Sequence, residues 1–437
     1  MYSEAAAALL KSQERNRRIQ ADKERARDEK RRTALEYINV LIVIFSSYSV
    51  YFRMSNAVIV VFEILLLLSA LALVRFSERQ RMRENYMKAI AIAAIGGLFI
   101  ALIDFFAGIP DGGMVYMAQK LFYLCALVPM YTFLFASMGV RHFRRIYLSR
   151  LTLVFALISA IGLAVYVVGV LLHVPLPKFS VPFIWGGRRQ AEGLLGLVFE
   201  IQSGDLLGLH TWRYLLFFVE GPAANLAFLT GLMIELFLVP QTRPWIVVTF
   251  ALSDFCTAST TAYICLPAVL LMSFFYSKRF VDLKNRSMMA AFLKWLFIVG
   301  IVIVAPLYAR YELVTKSNIG SLNGHMEGFN VGISAFLSSP LVGSGITSYG
   351  NSTSVFQLAH EGGLLLLSLY CYPLLRFIWQ SIELRNMRFF VFITIECVLF
   401  VVAIVGDNPL FAVVLAMSYA FTAKDWGKAL IGRHAID

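Results

Sequence analysis

The residues best placed to do chemistry sit where a membrane protein tolerates them least. The stretch "WRYLLFFVEGPAANLAFLTG" (212–231) carries Arg213, Glu220 and Pro222 in an otherwise apolar run. An arginine offers a fixed fork of donors that matches phosphate oxygens. A glutamate can orient that fork or accept a proton from a hydroxyl. Read as helix, Arg213 and Glu220 are seven residues apart and share one face, two turns apart. Pro222 then frees the carbonyl near Phe218, and Gly221 lets another group approach the backbone. An ionisable residue inside a membrane is a functional candidate by default, because it costs several kcal/mol unless paired or hydrated. The plainer readings are an interfacial arginine that snorkels and a structural ion pair.

A second set lies near "SSPLVGSGITSYGNSTSVFQLAHEGGLLLL" (338–367). Gly343, Gly345 and Gly350 around Pro340 suggest a tight return into the membrane, able to present backbone amides to an anion. His360 and Glu361 follow, just inside the next apolar run. Two long polar loops add further candidates: Lys178, Arg188, Arg189, Glu192, Asp205 and His210 in one, Arg310, Glu312, Lys316, His325 and Glu327 in the other.

These residues must be held by membrane helices. Of 437 residues, 59% are hydrophobic and 15% charged, where a soluble domain carries about a quarter charged residues. Repeated apolar runs of about twenty residues match a bilayer core, so the expected fold is an all-α, polytopic helical bundle. Runs fall near 34–52, 57–74, 89–109, 117–140, 150–172, 213–239, 244–276, 288–308, 353–375, 389–405 and 409–423. The run at 244–276 is too short for two full crossings. Its polar break "SDFCTASTT" (253–261) suggests two shortened helices meeting in a polar turn, beside a cavity open to the outer face. About twelve crossings result.

The net charge of +12 is concentrated in short connectors such as "RFSERQRMRENYMK" and "RHFRRIYLSR". That is the positive-inside pattern of cytoplasmic loops, not a nucleic-acid footprint. Both termini then lie in the cytoplasm of a plasma-membrane protein, and loops 173–212 and 309–352 lie outside. The domain reading is a charged helix at 1–33, one transmembrane domain at 34–423 and a tail at 424–437. No cleavable leader is expected, because a long charged stretch precedes the first apolar run. The arm at 1–33 anchors topology, with contact to anionic lipid or a partner protein as alternatives. Five cysteines lie inside apolar runs without ligand spacing, and the six histidines form no motif with them, so neither a disulfide framework nor a metal site is expected.

The pattern resembles the bacterial O-antigen polymerase and ligase superfamily, the Wzy- and WaaL-like membrane glycosyltransferases. The resemblance rests on Arg213 with Glu220-Gly221-Pro222 and Ala223-Ala224, then Ala258-Ser259-Thr260-Thr261. It continues with Pro340-Leu341-Val342-Gly343-Ser344-Gly345 and Glu361-Gly362, so it covers roughly residues 180–370. The chain departs from the family pattern at Gly221, which separates the glutamate from its proline, and at His325, where the family usually has an arginine.

The resemblance implies a GT-C-like bundle that transfers a glycan from undecaprenyl diphosphate to the sugar of another lipid-linked repeat unit, on the outer face. Arg213, supported by Arg310 and His325, is then expected to hold the diphosphate. Arg188, Arg189, Gly343 and Gly345 are expected to help bind substrate. Glu220, His360 and Glu361 are base candidates, and Glu220 equally could orient Arg213. No metal or cofactor is implied. The implied partners are undecaprenyl-diphosphate-linked oligosaccharides, membrane lipid and other polysaccharide-assembly proteins. The alternatives are ligase-type transfer to a lipid or protein acceptor, and transport of lipid-linked sugars.

Overall fold

The computed structural model describes residues 2–77, 79–108, 114–185, 188–206, 209–275, 321–346, 354–384, 387–402, 408–422 and 424–426. The expected run at 288–308 and most of the tail lie outside the described residues. The protein is a mostly helical, polytopic membrane bundle. Among the described residues, six helices are long and apolar enough to cross a membrane. They are α2 (Asn56–Val74), α3 (Arg79–Ala107), α4 (Met114–Met138), α5 (Val140–Leu171), α6 (Gly221–Leu238) and α10 (Ser354–Glu383).

Helix α1 (Tyr2–Ser46) joins the charged arm and the first apolar run into one rod of 45 residues. The stretch contains neither Gly nor Pro and is rich in strong helix formers, so nothing interrupts it at residue 33. The connector "RHFRRIYLSR" is likewise helical rather than a loop. Only Gly139, at φ +76°, separates α4 from α5.

The 244–276 run folds as its polar break requires. Helix α7 (Pro244–Cys256) ends within the break and α8 (Thr260–Phe275) begins near its far end, with Ala258 at φ +48° between them. The remaining helices are α9 (Ser321–Ser338), α11 (Met387–Val402) and α12 (Pro409–Ala420).

The expectation of an all-α fold needs correction. The loop at 173–212 folds into strands β1 (Lys178–Trp185), β2 (Arg188–Leu194), β3 (Val198–Phe199), β4 (Ser203–Leu206) and β5 (Leu209–Trp212). The first three form one antiparallel sheet in the order β1-β2-β3, and β4 pairs with β5 as a separate hairpin. β1 contains "FSVPFIW", aromatic and β-branched residues suited to a pleated surface. Its Pro182 lies where the register with β2 shifts, at an irregularity that tolerates a missing donor.

The opposite end of the bundle is fastened by buried ions. Glu36 on α1 is fully buried and bound by Arg32 Nε (3.0 Å), His142 Nε2 (2.7 Å) and Arg150. One turn on, Asn39 donates to Ser69 Oγ and Tyr131 OH and accepts from Tyr147 OH, all within 2.8 Å. Glu235 at the end of α6 accepts from the backbone N–H of Arg243 (2.7 Å), its guanidinium (2.7 and 3.0 Å) and Thr152 Oγ1 (2.8 Å). The basic residues that mark this end in sequence therefore also clamp α1, α5 and the α6–α7 connection together.

Glu36→Ala is expected to lower the stability of the detergent-solubilised protein by about 3 kcal/mol, the lower end of the cost of stranding the partners of a buried ion pair. Thermal unfolding measures it, and an unchanged midpoint would show that the cluster does not hold α1.

Candidate functional site

The segment between β5 and α6 is where sequence and structure part most sharply. Residues 213–220 are not helix. From Tyr214 to Val219 the chain is at most 1% exposed yet irregular, with Leu216 at φ +53°. Its backbone is sewn to distant parts of the chain. Tyr214 N donates to Cys256 O (3.0 Å), Phe199 N to Leu216 O (3.0 Å), Val50 N to Phe217 O (2.7 Å) and Val219 N to Tyr48 O (3.0 Å). Arg213 and Glu220 consequently share no helix face. Pro222 breaks nothing either: it sits in the first turn of α6, where an amide donor has no helical partner to lose. Glu220 is the N-cap, in extended conformation at φ −160° and ψ 164°.

What the structure does bring together is Arg213 and the start of α6. Arg213 Nε donates to Ser203 O (3.1 Å), and its backbone N–H donates to Gln202 O (2.9 Å). Gln202 Oε1 accepts from the Gly221 N–H at 3.0 Å. A Cβ on Gly221 would lie 3.3 Å from Arg213 Nη1, and one on Gly204 would lie 2.5 Å from Arg213 Nε. Two glycines thus leave the slot in which the guanidinium lies. Gly221, the apparent insertion between glutamate and proline, is one wall of that slot. The positive end of α6 and the fixed charge of Arg213 coincide, an arrangement that favours anions.

The polar break packs against the same place, with Thr257 O 4.0 Å from the Gly221 Cβ position. Thr257, Ala258 and Ser259 are 0%, 2% and 4% exposed, so the irregular backbone is covered by protein rather than by the wet cavity expected there. Below it, Asn225 Nδ2 donates to Asp254 Oδ1 at 2.6 Å and ties α6 to α7 with two fully buried side chains.

The cavity on this side lies next to the β layer instead. It measures about 710 Å3 and is lined by Ser203, His210, Trp212, His173, Lys178 and Glu200, among others. Ser203 joins it to Arg213, whose guanidinium bonds the Ser203 carbonyl. Lys178 Nζ lies 2.6 Å from Glu200 Oε2, and that hydrogen bond raises the ammonium above its ordinary pKa. The volume falls within the roughly 300–1,000 Å3 of small-molecule sites.

His360 and Glu361 lie on α10. The "PLVGSG" turn interlocks with α10, which kinks at Gly363 (φ +52°). Ser344 N donates to His360 O (2.7 Å) and Leu364 N to Pro340 O (2.8 Å). Gly343, at φ +63°, has its would-be Cβ 2.3 Å from His360 O, and the one at Gly363 would lie 2.4 Å from Pro340 O. The glycines therefore serve close packing, with Gly345 also left-handed at φ +92°. Glu361 is 1% exposed, ion-paired with Lys120 Nζ at 3.1 Å and hydrogen-bonded by Gln357 Nε2 at 2.8 Å. Helix α11 packs against both α6 and α10. Arg213 and Glu220 thus lie just before and at the N-cap of α6, and His360 and Glu361 lie on α10.

Other candidates are only partly placed. Arg188 and Arg189 lie on β2 and His325 on α9, but their side chains are not among those described, and Arg310 lies outside the described residues. Lys120 and Gln202 went unnoticed in sequence. Lys120 lies inside the apolar run at 117–140, where a lysine followed by "LFYLCALV" needs a partner. Gln202 carries no signal beyond its place in a polar loop.

Lys120→Met should destabilise the protein by about 3 kcal/mol because it strands buried Glu361, whereas adding Glu361→Gln should recover most of that loss. Additive losses in a thermal-unfolding cycle would remove the pair. In comparisons with known proteins, no family model matches the chain, and no curated protein matches it either.

Proposed function

We propose that the protein is a membrane glycosyltransferase that polymerises a bacterial surface polysaccharide. It moves a glycan from undecaprenyl diphosphate to the sugar hydroxyl of a second lipid-linked repeat unit. The observation that carries this reading is the Arg213 slot at the start of α6, joined through Ser203 to the cavity beside the β layer. By the positive-inside rule this end faces out of the cell, since the arginine clusters gather at the other.

In this reading the diphosphate leaving group lies against Arg213 and the first turn of α6, where positive charge meets the charge that develops as the glycosidic bond breaks. Glu220, at the N-cap, accepts the proton of the attacking hydroxyl. The cavity lined by Trp212, Ser203 and His210 takes sugar, with an apolar ring face for stacking and polar groups for its hydroxyls. Glu361, held by Lys120, positions the glycine turn instead of serving as the base. His360 supplies its carbonyl to that turn, and Arg310 and His325 remain the proposed partners of the diphosphate from the second loop.

Arg213→Ala is expected to cut polymerisation by at least about 100-fold, the effect of removing one donor from developing charge, while Arg213→Lys retains part of it. Chain-length ladders from purified protein and lipid-linked repeats measure this. A full-length ladder from both Arg213→Ala and Glu220→Gln would sink the site assignment. A single addition without a ladder would point to a ligase, and movement of lipid-linked sugar across liposomes without elongation to a transporter.

A further inference from the structure

A second cavity, at the basic end, is independent of that reading. It measures about 230 Å3 and is lined by Arg32, Arg81, Arg141, His142, Ser77 and Ser137, together with Phe76 and Met138. Three arginines and a histidine line a volume of roughly eight waters' share, at about 30 Å3 each. It is smaller than typical small-molecule sites, yet large enough for a phosphate group.

The cavity is built rather than incidental. Glu36 fixes two of its walls, through Arg32 at 3.0 Å and His142 at 2.7 Å. Arg81 Nη1 reaches Met138 O at 3.4 Å, and a Cβ on Gly139 would lie only 2.0 Å from Nη1, so the left-handed glycine makes room for the guanidinium. Ser137 is 1% exposed, and its Oγ and that of Ser77 are buried without a hydrogen-bond partner. A buried hydroxyl left unbonded is costly, and both belong to residues that line this cavity.

A neighbouring groove indicates the source of the phosphate. It measures about 610 Å3, runs between α1 and α2, and shares Phe76 with the cavity. Leu35, Ile38 and Ala72 give it an apolar floor, and Arg31 and Arg75 lie along it, with Arg31 paired to Asp28 at 3.9 Å. An acyl chain fits the floor while its headgroup reaches the arginines. Basic pockets between helices at the cytoplasmic surface hold anionic headgroups in this way.

We propose that the cavity lined by Arg32, Arg81, Arg141, His142, Ser77 and Ser137 binds the phosphate of an anionic phospholipid from the leaflet at the basic end. The guanidiniums take the phosphate oxygens in forked hydrogen bonds, and the two serine hydroxyls donate to the same group. Such a lipid bridges α1, the α2–α3 connection and the α4–α5 turn, adding to the contacts of Glu36 with Arg32 and His142 and of Arg81 with Met138.

The test is native mass spectrometry of the delipidated full-length protein in neutral detergent. It is titrated with phosphatidylglycerol, with phosphatidylcholine of equal chain length, and separately with inorganic pyrophosphate. Wild type should bind phosphatidylglycerol at least about tenfold tighter than phosphatidylcholine, the worth of one charge-assisted hydrogen bond. The pair Arg81→Gln with Arg141→Gln should abolish that preference. Ser137→Ala, which leaves every charge in place, should reduce it severalfold and serves if the double variant does not fold. Tight pyrophosphate binding lost in the same variants, without a lipid preference, would overturn the lipid source while retaining a phosphate site. A lipid preference that survives the variants, or binding of neither probe, would overturn the site itself.

Discussion

A backbone amide or carbonyl deep in a membrane protein must find a partner, because no water is there to serve it. The six residues from Tyr214 to Val219 meet much of that demand without forming a helix, and the arrangement around them follows from how they do it. Their partners are Tyr48 and Val50 after α1, Phe199 on β3 and Cys256 at the end of α7. Aromatic rings fill the remaining space: Phe217 stacks on Phe45 at 4.7 Å, and Phe228 stacks on both Phe155 and Tyr214. The first helix, the β layer and the polar break are therefore ordered against one short irregular segment. That segment, in turn, delivers Arg213 and Glu220 to the start of α6.

The helical bundle was legible because length and hydrophobicity suffice to mark membrane helices. The break at 253–261 was legible for the opposite reason, since clustered Ser, Asp and Thr cannot continue an apolar helix unremarked. Residues 213–220 were misread because a short, uniformly apolar run has no period to separate helix from strand. What distinguishes them is tertiary: three remote segments offer hydrogen bonds that a lone helix would not need. The β layer escaped notice because its strands are short and punctuated by Gly and Pro, so they read as loop. Arg213 and Gly221 were legible as a candidate site, but their neighbour Gln202 was not, since its role depends on how the hairpin folds back.

Charge is handled differently at the two ends. At the basic end, Glu36 and Glu235 are fully buried and each draws on two or more cationic or hydroxyl donors. They act as rivets between helices. Towards the β layer, Asp254 is matched by a neutral amide and Glu361 by one lysine and one glutamine. Arg213 by contrast bonds backbone carbonyl through Nε and lies in a slot that two glycines keep clear.

The unbroken helix α1 has a mechanical consequence. Thirty-four residues of the helix precede Glu36, a length of about 50 Å at 1.5 Å per residue. No hinge intervenes between that extension and the rivet at Glu36 or the hydrogen bonds of Asn39. A body gripping the far end is held at a set standoff from the bilayer, and torque applied there is delivered undamped to the bundle's innermost bolts.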